Sequence, residues 1–181
     1  MTHRIALLRG INVGRAKRIA MADLRGVIED LGFSDVRTLL NSGNVVFEGT
    51  PGGNPEVASA LEAAISSRFG FAVPVVVVSG DDLNIIIAEN SLPHAGSDPA
   101  KLLVAFVNRT AALRRAKVLL EEQWEPEALA IGSKAAYLWC ADGIIRSRLV
   151  KALTRVTGEA ATMRNWATVL KLQRAVSGES P

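Results

Sequence analysis

The chain has 181 residues, of which 49% are hydrophobic and only 5% aromatic, so it can bury a core built mostly from aliphatic side chains and is not generally disordered. A single cysteine, Cys140, excludes an internal disulfide and fits a reducing compartment. No apolar run approaches the roughly 20 residues of a membrane-spanning helix, and no secretory signal pattern is recognisable, so the sequence predicts a cytoplasmic protein without a membrane partner.

The net charge of +3 is unevenly distributed along the chain. Residues 1–100 carry 8 Lys/Arg and 11 Asp/Glu, whereas residues 101–181 carry 13 and 7, so the excess of positive charge lies in the second half. A basic half can attract phosphate-bearing partners. A solvated basic surface without any partner is the more common explanation of such an excess.

The hydrophobic pattern of residues 1–78 predicts the order β-α-β-β-α-β. Apolar residues recur at helical spacing over Met21–Leu31 and Val57–Phe69, and each of these segments is followed by a glycine. This order is the split βαβ, or ferredoxin-like, arrangement, with both helices on one face of a four-stranded sheet. The predicted strands are Arg4–Leu8, Val36–Leu40, Val45–Phe47 and Ala72–Val78.

A second, smaller α+β unit is predicted after a helix over Asp81–Ala88 and a turn-rich segment over 90–99. A short strand near Ala160–Met163 would complete another βαββαβ, so the second half is a possible degenerate duplication of the first. We therefore expect a ferredoxin-like domain over 1–79, a helix and linker over 80–99, and the second unit over 100–181. Its predicted strands are Leu102–Val107, Ala128–Ile131 and Ala135–Cys140, and its predicted helices are Ala111–Leu120, Arg148–Val156 and Asn165–Val176.

Polar residues and glycines interrupt the apolar chain where elements begin or end, and binding groups are common at such places. Two of these islands are Arg9–Gly14 and Asn41–Asn44. In a ferredoxin-like order the second island, a hairpin turn, lies near the end of the first strand, so Ser42 and Asn44 would approach Arg9 and Asn12. A tight turn and an anion-binding loop explain Arg9–Gly14 equally well.

Two further islands, Arg146-Ser147 and Thr162–Trp166, precede predicted helices. The free N–H groups of a helix start favour phosphate or carboxylate, and arginine adds forked donors. Helix capping by Ser147 and by Thr162 or Asn165 is the alternative, and Trp166 is better explained as a core residue. The complete set of predicted ligand-binding residues is Arg9, Asn12, Ser42, Asn44, Arg146, Ser147, Arg164 and Asn165.

The sequence lacks the motifs that are typical of other classes of site. The sequence has neither a dinucleotide fingerprint nor a Walker loop, and no His, Cys or paired-carboxylate spacing typical of a metal site or a catalytic pair, so we predict no cofactor and no metal. The pattern predicts a protein that binds a small anion, phosphate- or nucleotide-like. A nucleic-acid-binding module that uses basic helical stripes (Arg148, Lys151 and Arg155; Arg164, Lys171 and Arg174), an enzyme of unknown reaction and a protein-interaction unit remain alternatives. The sequence leaves the oligomeric state open.

The chain contains the strings Ala6–Gly14, Leu31–Phe33, Ser42–Phe47, Arg146-Ser147 and Thr162–Val169. Together these strings resemble the bacterial domain-of-unknown-function family 1697. The resemblance covers nearly the whole chain and implies two α+β units, the first ferredoxin-like, without an established activity to transfer. The chain departs from the family at Ala167, where members often have asparagine.

Overall fold

The computed structural model describes residues 2–49 and 52–178. Turn-forming residues predict a loop over 50–55, and Thr50 and Pro51 of this segment lie outside the described residues. These residues form two compact units, one comprising 2–80 with 174–178 and the other 81–173. The elements of the first unit, in chain order, are β1 (Thr2–Leu8), α1 (Met21–Asp30), β2 (Ser34–Leu39), β3 (Asn44–Gly49), α2 (Asn54–Phe69) and β4 (Val75–Ser79).

The first unit has the predicted ferredoxin-like topology. Its antiparallel sheet has the strand order β2-β3-β1-β4, with β1 between β3 and β4. One face of the sheet packs on α1 and α2 around a core that includes Leu8, Leu24, Phe47 and Leu61. The two helices end as their glycines predict, since Gly32 and Gly70 both have positive φ.

The fourth strand begins later than the apolar pattern predicts, at Val75 instead of Ala72. Pro74 has no N–H to donate to a ladder, and the N–H of Val75 donates to Glu62 Oε1 of α2 at 2.8 Å. The segment before Val75 therefore packs against the helix layer as a connection. The four valines 75–78 are all buried, as expected for a strand covered on both faces.

The second unit repeats the topology of the first. Its four strands are β5 (Leu102–Val107), β6 (Ala128–Ile131), β7 (Ala135–Trp139) and β8 (Ala161–Asn165). The sheet has the order β6-β7-β5-β8, so its first strand lies between its third and fourth strands, as in the first unit. The strand predicted near residue 160 is present and pairs with β5, which confirms the duplication at the level of fold. The α-helices from residue 80 onward are α3 (Gly80–Ala88), α4 (Ala111–Ala116), α5 (Arg148–Thr157) and α6 (Trp166–Val176).

The helix predicted over Ala111–Leu120 is shorter than expected, because it changes to a 3₁₀ helix over Lys117–Glu121. The indole N–H of Trp124 donates to the carbonyl of Leu119 at 2.7 Å, and both side chains are buried in the core of this unit. The tighter turn places both residues on the core side. Cys140 is also buried, and so is Trp166, for which the sequence predicts a place in the core.

Tyr137 gives the second unit a sensitive probe of its core, since it is the only tyrosine in the chain. The side chain is fully buried, and its hydroxyl donates to the carbonyl of Ile86 at 2.6 Å. Burial, with a smaller contribution from the charge of Glu89, raises the phenol pKa well above its usual value. Above pH about 10 the unfolded chain loses this proton while the native state keeps it, so stability must fall as the pH rises.

We therefore expect tyrosinate absorbance to appear only together with loss of the circular dichroism signal in an alkaline titration. Tyr137→Phe should remove that component of the alkaline destabilisation. At neutral pH it should lower the free energy of unfolding by about 1–2 kcal/mol, because the carbonyl of Ile86 loses its hydrogen-bond donor. Tyrosinate forming near pH 10 with the dichroism intact would contradict this account.

Candidate functional site

The first two polar islands meet at one end of the first sheet. Leu7 pairs with Asn44 across β1 and β3, and the N–H of Leu8 donates to the carbonyl of Gly43 at 2.8 Å. The hairpin therefore lies beside the end of β1, which confirms the placement predicted from the strand order. The loop that follows β1 starts at this contact.

Asn12 joins the loop after β1 to the hairpin. Its side-chain amide nitrogen donates to the carbonyls of Ile19 and Asn41 at 2.9 and 2.8 Å, and its oxygen accepts from the N–H of Ile19 at 2.9 Å. The backbone has φ 56°, a left-handed conformation that asparagine tolerates better than most residues. Asn12 thus closes the loop upon itself and fixes it to the hairpin.

Asn44 and Ser42 stabilise the hairpin from within. Asn44 is fully buried, and its amide nitrogen donates to the carbonyl of Leu39 and to Ser42 Oγ, both at 2.9 Å. Ser42 itself is exposed. Arg9 is half-buried next to this corner, and its backbone N–H donates to the carbonyl of Pro74 at 2.9 Å. The four predicted residues of the first unit therefore lie at one corner of its fold.

A cleft of about 460 Å³ opens between the Asn12 loop, the hairpin and the start of α1. Ala20, the N-cap residue of α1, has no side-chain oxygen that could accept from the first-turn N–H groups. The exposed Arg18 stands beside this helix start and has no acidic partner among the described ion pairs. The residues that line the cleft are Asn12, Arg18, Ile19, Ala20, Met21 and Asn41. Reasoning from the sequence left Arg18 and Asn41 out of the predicted ligand set.

The start of α5 in the second unit has its donors partnered internally. Ser147 is the N-cap residue, as predicted, and its Oγ accepts from the N–H of Val150 at 3.0 Å. The buried carboxylate of Glu127 accepts from the N–H groups of Arg148 and Leu149 at 3.1 and 3.2 Å. This carboxylate occupies the position that an external anion would take at the helix start. Arg146, one residue before the cap, is exposed.

Arg164 and Asn165 end β8, a strand where the sequence suggested chiefly a helix start. The guanidinium of Arg164 donates to Thr162 Oγ1 at 3.1 Å and to the carbonyl of Met163 at 2.9 Å, and burial lowers its pKa to about 10. Asn165 Oδ1 accepts from the N–H of Thr168 at 2.9 Å, so Asn165 caps α6. Capping was the alternative that the sequence left open for Asn165.

Arg164 and the start of α5 lie on different faces of the second sheet. Met163 packs with the helix-side core that also contains Leu149 of α5, whereas its neighbour Arg164 must point to the opposite face because side chains alternate along a strand. The structure therefore brings the predicted residues of the first unit together but does not bring Arg164 to the start of α5.

The basic stripe predicted on α5 is exposed. Arg148, Lys151 and Arg155 are all on the solvent side of the helix. The guanidinium of Arg148 also lies over the indole ring of Trp124, 5.9 Å from its centroid. At least part of this stripe therefore has a role in packing as well as a surface charge.

The fold and this geometry define a two-unit α+β protein that repeats the ferredoxin-like arrangement. The model of the family described as "Protein of unknown function (DUF1697)" matches residues 1–137, and the chain belongs to this family. The chain is similar in structure to a conserved bacterial protein from Streptococcus pneumoniae, SP0830, with a TM-score of 0.78 and 24% sequence identity over 97% of this chain and 98% of that chain. At that identity the likeness shows the fold alone. No curated protein matches the sequence, and none of the described helices has the length and apolar character needed to cross a bilayer.

Proposed function

We propose that the protein binds a small anionic ligand, phosphate- or nucleotide-like, in the cleft at the start of α1. The observation that carries this proposal is the coincidence, in one cleft, of Arg18 with a helix start whose N-cap residue has no capping oxygen. The positive end of the helix dipole and the first-turn N–H groups favour an anion, and the guanidinium supplies forked donors to its oxygens.

The hydrogen bonds of Asn12 support the proposal because they organise the cleft before a ligand arrives. A loop that is fixed in its binding conformation loses little conformational entropy when it binds. The anion is contacted by Arg18 and the α1 backbone. Arg9, Ser42 and Asn44 mainly stabilise the loops around the cleft. Asp23, in the first turn of α1, would oppose the anion by charge repulsion.

Isothermal titration with inorganic phosphate, sulfate and adenosine nucleotides tests the proposal. We expect millimolar or tighter binding that Arg18→Gln weakens about five- to tenfold, as loss of one charge-assisted contact implies. Arg15→Gln is the matched control, since it removes the same charge from the same exposed loop at a position that does not line the cleft. Asp23→Asn should have the opposite effect and strengthen binding.

Absence of any anion binding to the wild type would remove the proposal. Equal losses for Arg15→Gln and Arg18→Gln would assign the effect to general surface charge and not to the cleft.

A second candidate, binding of a nucleic-acid backbone, is favoured only by the exposed stripe on α5. It predicts an affinity for single- or double-stranded DNA or RNA that falls steeply with salt and is lowered by Lys151→Gln. Phosphate binding at the α1 cleft would be unaffected by that substitution, so the two candidates are separable.

A further inference from the structure

Three side chains of the types that bind metals, from three adjacent strands of the first sheet, converge at one end of the sheet. His3 belongs to β1, Asp35 to β2 and Glu48 to β3. One potential ligand atom of each lies within 4.8 Å of those of the other two. None of the three was singled out by motif analysis, because ligands contributed by separate strands leave no spacing signature in the sequence.

The strand register explains why these side chains meet. His3 and Glu48 are direct cross-strand partners, and His3 Nε2 lies 2.9 Å from Glu48 Oε1. Side chains alternate along β1, and Ala6 and Leu8 pack on the helices, so His3 projects from the other face. The register of β2 against β3 shifts between Ser34 and Arg37, and Asp35 lies inside this irregular segment.

We propose that His3, Asp35 and Glu48 form a site for a divalent first-row transition metal ion, with Zn²⁺ as the test ion. One imidazole and two carboxylates are ligands that such ions accept together, whereas Mg²⁺ and Ca²⁺ prefer oxygen ligands alone. Bond lengths of about 2.0–2.2 Å to a shared ion place ligand atoms roughly 3–4 Å apart. The observed separations, 2.9 Å between His3 Nε2 and Glu48 Oε1 and no more than 4.8 Å between the ligand atoms of any two of the three residues, are close to this range.

The surroundings of the three residues fit this role. The side chains of His3 and Glu48 are 33% and 24% exposed, so an ion can enter and keep solvent-facing positions for water or another ligand. Arg37 Nη2 lies 3.0 Å from Asp35 Oδ2 and leaves Oδ1 of the same carboxylate for the ion. Such an outer partner orients a ligating carboxylate. A bound dication would also relieve the repulsion between the two carboxylates.

The test uses full-length protein without a polyhistidine tag, freed of metal by dialysis against chelator and titrated with Zn²⁺ by calorimetry. We expect one ion per chain. His3→Gln and Asp35→Asn should each weaken binding at least about tenfold, since each removes one of three protein ligands. Titration with Co²⁺ gives a second readout, because its visible bands become more intense when the octahedral aqua ion enters a protein site of lower coordination number.

His94→Gln is the matched control, as it removes the only other histidine of the chain, and it should leave the affinity unchanged. Asp35 is on the protein surface, so Asp35→Asn is expected to fold even if a change at His3 disturbs β1. No Zn²⁺ uptake by the wild type would overturn the proposal. So would an unchanged affinity in Asp35→Asn, which would show that Asp35 is not a ligand, or an affinity that His94→Gln lowers equally.

Discussion

Gly43→Ala is expected to lower the free energy of unfolding by about 2–4 kcal/mol. A Cβ atom at position 43 would lie 2.6 Å from Leu8 Cβ and 2.9 Å from Ile11 Cδ1, closer than such atoms can approach. The residue also has φ +79°, a conformation that alanine adopts only with strain. Leu8 belongs to the core and cannot move aside without opening the junction between β1 and the hairpin.

Urea denaturation followed by circular dichroism measures this loss. Gly26→Ala is its matched control, because Gly26 lies inside α1 and a Cβ atom there would meet nothing within 4 Å. That substitution should stabilise the protein by about 0.5–1 kcal/mol, the difference in helix propensity. A Gly43→Ala variant as stable as the wild type would show that the hairpin does not contact β1 as closely as described.

Asn12→Ala is expected to lower the free energy of unfolding by about 2–4 kcal/mol. The loss comes from three side-chain hydrogen bonds of about 1 kcal/mol each and from an alanine held at positive φ. The substitution leaves the loop after β1 without its attachment to Asn41 and without its internal closure at Ile19. Because the loop forms one wall of the cleft, anion binding should weaken as well, although a hydrogen-bonded asparagine need not touch the anion itself.

Asn12→Gly separates the two causes. Glycine adopts φ 56° without strain, so this variant loses only the hydrogen bonds and should be about 1 kcal/mol more stable than Asn12→Ala. Denaturant midpoints of the two variants and the wild type make the comparison. Equal stability of all three would mean that the loop does not depend on this side chain.

Much of the fold follows from short-range rules that act on identifiable residues. The helical spacing of Leu24, Val27 and Ile28 and the glycines at 32 and 70 predict α1 and the ends of both helices of the first unit. The order of elements then requires the hairpin to lie beside the end of β1, and this places Asn44 next to Leu7. The same order, repeated after residue 100, made the duplication predictable in outline.

The cleft itself could not be predicted, because it depends on contacts between residues that no local rule pairs. Asn12 reaches Ile19 seven residues away and Asn41 twenty-nine residues away, and this closure places Asn12 and Asn41 beside Arg18 and the start of α1. The sequence left open whether Asn12 binds a ligand or stabilises its loop, and the observed bonds are those of a loop-stabilising group.

Glu127 illustrates the same difficulty in the second unit. A helix start preceded by Arg146-Ser147 predicts an anion site, but the chain supplies its own anion from a residue more than twenty positions earlier than Leu149. Periodicity and capping rules describe what a helix start can accept, whereas the three-dimensional fold decides which group occupies it.

The most direct test of an anion site at α1 is a phosphate titration followed by backbone amide chemical shifts. We expect the largest, saturable shifts at Met21, Ala22 and Asp23 and in the side-chain N–H signal of Arg18. Shifts at the start of α5 should be small, because Glu127 already accepts hydrogen bonds from the backbone N–H groups there. Shifts confined to Arg148, Leu149 and Val150, or spread evenly over exposed cationic residues, would contradict the account.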